Sequence, residues 1–198
     1  MIVGQKYFGA EVLQLCLARG DDVAAVSAPR ADDRLAALAE DSGVPLCQVG
    51  RRLDASWVPD ELDLIICAHA HVFIAPEARK RARWGALGYH PSLLPRHRGR
   101  DAIVWALHMG DQVTGGTAYW LDDGADTGPI AAQGWCWVRP GDTAADLWRR
   151  DLAPMGLRLI GQVLAQLDAG TVPSTPQPAE LATWEPAFNP VKLSDRPA

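Results

Sequence analysis

Leu62-Asp63-Leu64-Ile65-Ile66-Cys67-Ala68 closes with five apolar residues in a row. A short run of this kind reads as a strand buried on both faces, the sort that parallel sheets carry between covering helices. Upstream, residues 1–4 form a short opening strand. Residues 8–19 place Phe8, Val12, Leu15 and Leu17 at helical spacing until Gly20-Asp21-Asp22 breaks the pattern. Residues 23–27 return as a strand, 32–41 as a helix stopped by Ser42-Gly43, and 44–48 as another short strand. Downstream, residues 76–82 read as a helix, with Pro76 well suited to its first turn. Residues 100–109 give a further helix, and 114–121 with 130–138 a pair of strands. Residues 143–169 form a long amphipathic helix, bent near Pro154. This alternation predicts an α/β fold: a doubly wound, mostly parallel, Rossmann-like sheet with ligands bound beyond the carboxyl ends of its strands. Residues 1–170 make one domain. Residues 171–198 carry Pro173, Pro176, Pro178, Pro186, Pro190 and Pro197, and are expected to form a surface strap that loses order near its end.

Two loops carry the chemistry. One is Gly88-Tyr89-His90-Pro91-Ser92-Leu93-Leu94-Pro95-Arg96-His97-Arg98-Gly99, the other Asp122-Asp123-Gly124-Ala125-Asp126-Thr127-Gly128. Pro91 and Pro95 restrict the residues before them, so His90 belongs to an extended and rigid segment. The glycines around Asp126 permit positive φ and let a flat ligand approach the backbone. An imidazole and a carboxylate on rigid loops suit acyl transfer, which needs a donor to a developing oxyanion and a group to relay a proton. The blander readings are a structural histidine and an aspartate that caps its own turn.

Composition agrees with an enzyme built on one core. The chain has 198 residues, 48% of them hydrophobic. It contains no apolar run long enough to span a bilayer, and Met1 leads straight into a strand, so no membrane association and a cytoplasmic location are expected. Cys16, Cys47, Cys67 and Cys136 lack metal-ligand spacing, and Cys67 reads as a buried small hydrophobe rather than half of a disulfide. His69 and His71 have no third ligand nearby, so no metal is expected. A net charge of −5 argues against extensive nucleic-acid contact. Trp105, Trp120, Trp135, Trp137 and Trp148 read as core and groove packing rather than a stacking platform for bases.

His90-Pro91-Ser92-Leu93-Leu94-Pro95, Arg98-Gly99, the acidic loop and Thr127-Gly128-Pro129-Ile130 together resemble the formyltransferase superfamily that uses N10-formyltetrahydrofolate. The likeness runs over roughly residues 1–186 and is greatest to the amino-terminal hydrolase domain of 10-formyltetrahydrofolate dehydrogenase. It implies N10-formyltetrahydrofolate as co-substrate, with no metal. It implies that His90 stabilises a tetrahedral oxyanion and that Asp126 tunes His90 and relays a proton. It further implies a pterin site among His71, Val72 and Phe73 at a strand end, Tyr89, Leu94, and the acidic-loop residues Asp122, Asp123 and Gly124. Asp122 and Asp123 also read as turn formers, and Arg96, His97 and Arg98 as a solvated basic run or a contact for an anionic group. His69 and His71, at alternate positions past the strand end, read either as a pair lining the site or as surface histidines.

Two departures from the superfamily pattern matter. Most of its transferases place an asparagine two residues before the histidine, where this chain has Gly88. Loss of one oxyanion donor costs on the order of 100- to 1000-fold where nothing replaces it. The opening loop Gly4-Gln5-Lys6-Tyr7-Phe8-Gly9 is too bulky for a tight phosphate nest, although Lys6 lies where the next helix could meet an anion. Relatives with a second, barrel-like domain continue where this chain stops, which favours a small acceptor over tRNA. The expected activity is formyl transfer from N10-formyltetrahydrofolate to the amine of a small molecule. The alternatives are hydrolysis to formate and tetrahydrofolate, and a non-catalytic folate-binding protein. Oligomeric state is open, with a homodimer among the options.

Overall fold

The computed structural model describes residues 1–189. Its strands are β1 (Ile2–Gly4), β2 (Val26–Ser27), β3 (Leu46–Cys47), β4 (Arg52–Leu53), β5 (Ile65–Ala68), β6 (Phe73–Ile74), β7 (Ala86–His90), β8 (Val113–Trp120) and β9 (Ile130–Trp137). Its helices are α1 (Lys6–Arg19), α2 (Arg34–Asp41), α3 (Pro76–Arg79), α4 (Ala102–His108), α5 (Ala144–Leu147) and α6 (Ala153–Asp168). Seven strands form one sheet in the order β3-β2-β1-β5-β7-β8-β9, and β4 and β6 pair separately. The first five strands run parallel, and β8 and β9 complete the sheet antiparallel. The expected mostly parallel α/β sheet is therefore present. The Rossmann comparison fits it only loosely, because an antiparallel pair forms one side.

Alternation along each central strand divides the core in two. Ile2, Ile66, Ala68 and Leu87 face a cluster built from Phe8, Val12 and Leu13 of α1, Leu35 of α2, and Leu159, Ile160 and Val163 of α6. Val3, Ile65, Cys67 and Ala86 face the other side, covered by Leu53, Val58, Ile74, Ala75 and Ala78. Among the described residues, no long helix contributes to the second face: the expected 76–82 helix is only the four residues of α3.

The 143–169 helix is interrupted. After α5 comes a π-helical turn, Trp148–Leu152, and α6 begins with Pro154 in its first turn. Proline offers no N–H to the preceding turn, and a wider turn accommodates the missing bond. Strands expected over 23–27 and 44–48 shrink to two residues each on the sheet's far edge. Trp135 and Trp137, expected to pack, stand 59% and 60% exposed on the outer face of edge strand β9. The strap runs back over the molecule, bridging Thr175 to Ile130 and Trp184 to Arg98. Its expected loss of order falls on residues 190–198, outside the described residues.

Candidate active site

A cleft of about 740 Å³ opens at the carboxyl ends of β5 and β7. His90 and Asp126 both line it, with His69 to Val72 after β5, the entry to α4, and Phe8 and Trp148. His90, the last residue of β7, is only 7% exposed. Its Nε2 lies 2.7 Å from the His97 carbonyl. A carbonyl oxygen accepts and never donates, so this contact assigns the proton to Nε2 and leaves Nδ1 for the cleft. Nδ1 stands 3.7 Å from Asp126 Oδ2, an ion-pair distance rather than a hydrogen bond.

Asp126 does not cap its own turn. Its Oδ2 accepts the Gly99 N–H at 2.8 Å and its Oδ1 the Tyr119 hydroxyl at 2.6 Å. Its backbone carbonyl accepts from Gln177 Nε2 at 2.9 Å. Asp122 is the turn former, taking the Gly124 N–H at 3.0 Å and the Thr127 hydroxyl at 2.6 Å. A side chain at Gly124 would strike Thr127 Oγ1 at 2.0 Å, which explains the glycine. Positive φ at His69, Asp101 and Asp126 puts strained backbone on the cleft wall itself.

The loop bearing His90 is held from two sides. Thr117, the register partner of His90 on β8, donates its hydroxyl to the Ser92 carbonyl at 2.7 Å and accepts the Leu94 N–H at 3.2 Å. Gln133 of β9 donates to the Leu94 carbonyl at 2.9 Å. On the other side, the Thr183 hydroxyl accepts the His97 N–H at 2.8 Å. His97, expected in a solvated basic run, is 2% exposed instead. Its ring lies between Asp111 at 2.8 Å and Glu185 at 3.3 Å. Arg98 donates twice to Gln177 Oε1, and only Arg96 keeps substantial exposure.

The other sequence candidates separate into two groups. His71, Val72 and Tyr89 line the cleft. The Tyr89 hydroxyl is committed to the Leu152 carbonyl at 2.6 Å, and burial holds its proton far above the usual phenol range. Phe73, Leu94, Asp122, Asp123 and Gly124 do not line it. Phe73 belongs to β6, half exposed beneath the Arg52 guanidinium. Leu94 is buried behind the site, where its backbone ties the loop to Thr117. Asp123 pairs with Arg79 outside the cleft. His69 is brought into the lining beside His71, with ring centroids 5.5 Å apart. Burial first, and the neighbouring His71 second, lower its proton affinity, which favours the neutral ring.

Sequence reading assigned no site role to Tyr119 or the Gly99 amide, and Trp148, expected to pack in a core or groove, lines the cleft. Tyr119 shares a strand face with Thr117, a signal that becomes usable only once the β7–β8 register is known. Lys6, placed as an anion contact, gives its N–H to both carboxylate oxygens of Asp33, at 2.8 and 3.0 Å. The start of α1 thus holds an internal carboxylate. Among the described residues, no group of three or more metal-ligating side chains gathers.

The sequence profile of the formyl transferase family matches residues 45–160. The chain is 38% identical over 197 residues to mitochondrial 10-formyltetrahydrofolate dehydrogenase of Mus musculus, covering 93% of this chain and 21% of the relative. It thus spans about a fifth of the length of that curated relative. Among solved structures, glycinamide ribonucleotide transformylase 1 of Symbiobacterium toebii aligns with a TM-score of 0.72 at 25% identity, covering 85% of this chain and 86% of that one. The fold is also that of an N-formyltransferase of Helicobacter canadensis in complex with folinic acid and dTDP-3-aminofucose. There the TM-score is 0.77 at 16% identity, over 93% of this chain and 69% of the other. Because the profile spans more than half of the chain and the dehydrogenase likeness nearly all of it, this protein belongs to the formyl transferase family.

Proposed function

We propose that the chain takes the formyl group from N10-formyltetrahydrofolate and passes it to the amine of a small-molecule acceptor. The observation that carries this reading is His90, anchored through Nε2 and presenting Nδ1 beside Asp126 on the wall of a cleft large enough for a folate head group. A neutral amine attacks the formyl carbon, forming the new C–N bond and a tetrahedral oxyanion. With Nε2–H given to the His97 carbonyl, His90 donates to that oxyanion through Nδ1, and so as the imidazolium. The Asp126 carboxylate offsets the ring's charge. It also relays the proton released by the amine towards N10, whose bond to the formyl carbon breaks as the oxyanion collapses. His71 and Val72 would line the pterin's place, and the committed Tyr89 hydroxyl would add shape rather than proton transfer.

Two features favour an uncharged or unphosphorylated acceptor. Asp33 already saturates the first amide of α1, and a phosphate there would meet a fixed negative charge. The net charge of −5 likewise disfavours polyanionic partners.

A second reading, in which water replaces the amine and yields formate and tetrahydrofolate, is favoured by Gly88 and by the dehydrogenase likeness. Purified protein incubated with N10-formyltetrahydrofolate, with and without a panel of small amines, separates the readings. Tetrahydrofolate release that depends on an amine supports transfer. Release in water alone supports hydrolysis, and binding without release would leave a folate-binding protein and remove the proposal.

A further inference from the structure

The β7–β8 register sets Tyr119 directly across from Gly88, on the strand face that carries His90. A Cβ at position 88 would lie 3.0 and 3.2 Å from Cε1 and Cζ of the Tyr119 ring, and 2.8 Å from a methyl of Leu121. The methyl can turn away, whereas the ring would have to give by a few tenths of an ångström. The absence of a side chain at Gly88 thus lets the phenol lie as close to β7 as it does. From there its hydroxyl donates to Asp126 Oδ1 at 2.6 Å, while Oδ2 receives the Gly99 amide at 2.8 Å and faces His90 Nδ1 at 3.7 Å.

We propose that Tyr119 is a positioning residue for the reaction, and that Gly88 and Tyr119 act as one device: the glycine clears the floor so that the phenol can aim Asp126 at His90. This rests on the reading of His90 and Asp126 as the working pair. A phenol donating to a carboxylate makes a charge-assisted bond, and such bonds are short and strong. Without it, Oδ1 loses this partner, and the Gly99 amide on Oδ2 alone does not fix the carboxylate plane. Desolvation by burial, then the charge of Asp126, push the Tyr119 proton affinity well above the ordinary phenol range. The hydroxyl therefore stays a donor throughout the neutral range. The other ionisable groups near it are Cys67 of β5, whose thiol burial pushes up to about 12, and Asp122 of the following turn.

Tyr119→Phe keeps the ring and its contact with Gly88 and removes only the oxygen. It should lower kcat roughly 10- to 100-fold, the range for losing a hydrogen bond to a charged group, with KM for the folate little changed. The acid limb of the pH–kcat profile should move to higher pH, because the carboxylate has lost a donor that favours its charged form. The same shift should appear in the free protein, in the pH dependence of the Asp126 carboxyl carbon resonance. Gly88→Ala, which displaces the ring without altering the hydroxyl, should move that resonance in the same direction. An unmoved Asp126 titration in folded Tyr119→Phe overturns the proposal, and an unmoved one in Gly88→Ala overturns the link between the two positions. Because this readout needs no turnover, it decides on Tyr119 even if wild-type protein releases no tetrahydrofolate, a result that would count against the proposed function instead.

Discussion

Because the His97 carbonyl takes the proton on Nε2, His90 meets the cleft through Nδ1 alone, and its partner there is Asp126. The division of labour has consequences that differ between the two side chains. His90→Ala removes the oxyanion donor and should reduce tetrahydrofolate release by about 100- to 10,000-fold, the usual span for a positioned acid–base group. Asp126→Asn is nearly isosteric but uncharged, so it no longer offsets the imidazolium or accepts a proton. It should also cut turnover at least 100-fold while leaving folate binding measurable by calorimetry. Full activity in either variant would remove that residue from the mechanism.

At the scale of elements, the catalytic loop depends on segments distant in sequence. The strap makes a short ladder with it. The Thr183 N–H donates to the Pro95 carbonyl, the Arg98 N–H to the Thr183 carbonyl, and the Glu185 N–H to the Arg98 carbonyl, all at 3.1 to 3.2 Å. Where β7 meets the start of α6, the Tyr89 hydroxyl donates to the Leu152 carbonyl at 2.6 Å, tying the end of the π-helical turn to β7 one residue before His90. Leu152 is the N-cap of α6, whose carbonyl also takes the helix's first bond, so Tyr89→Phe removes one buried hydrogen bond without stranding that carbonyl. That should cost about 0.5–1.5 kcal/mol of stability. Thermal unfolding monitored by circular dichroism would show it, and an unchanged midpoint would mean that the turn finds another donor.

Across the whole molecule, stability carries a pH signature set by burial. Burial raises the thiols of Cys16, Cys67 and Cys136 from an ordinary 9.0 to about 11, 12 and 11. In the unfolded chain they ionise near 9, so the folded state holds more protons between that value and about 11 to 12. The stabilisation is therefore complete below pH 9 and is lost as pH rises through 11 to 12. At the acid end His69 works the other way. Its folded value is lowered from 6.5, so the unfolded ring binds a proton first and stability falls as pH drops below about 6.5. A melting-temperature series from pH 5 to pH 11 should be highest in the middle. Cys67→Ala should flatten the alkaline slope and His69→Asn the acid one, and slopes unaltered by both substitutions would refute this account.

What could be read from the sequence alone was whatever short-range sterics and polarity determine. The apolar run ending at Ala68 became β5, the proline-flanked stretch after His90 became a rigid loop, and the strands bracketing the acidic loop became β8 and β9. Tertiary structure decided everything that depends on register and loop closure. It aligned Tyr119 with Gly88, buried His97 between Asp111 and Glu185, and turned Asp126 away from its own turn towards Gly99 and Tyr119. It also left Phe73, Asp122 and Gly124 outside the cleft although Val72, Leu121 and Ala125 beside them line it, and it kept Leu94 and Asp123 out as well. The physical reason is that a residue's own neighbours set its backbone conformation, whereas the face it presents and the partner it meets follow from pairing between segments far apart in the chain.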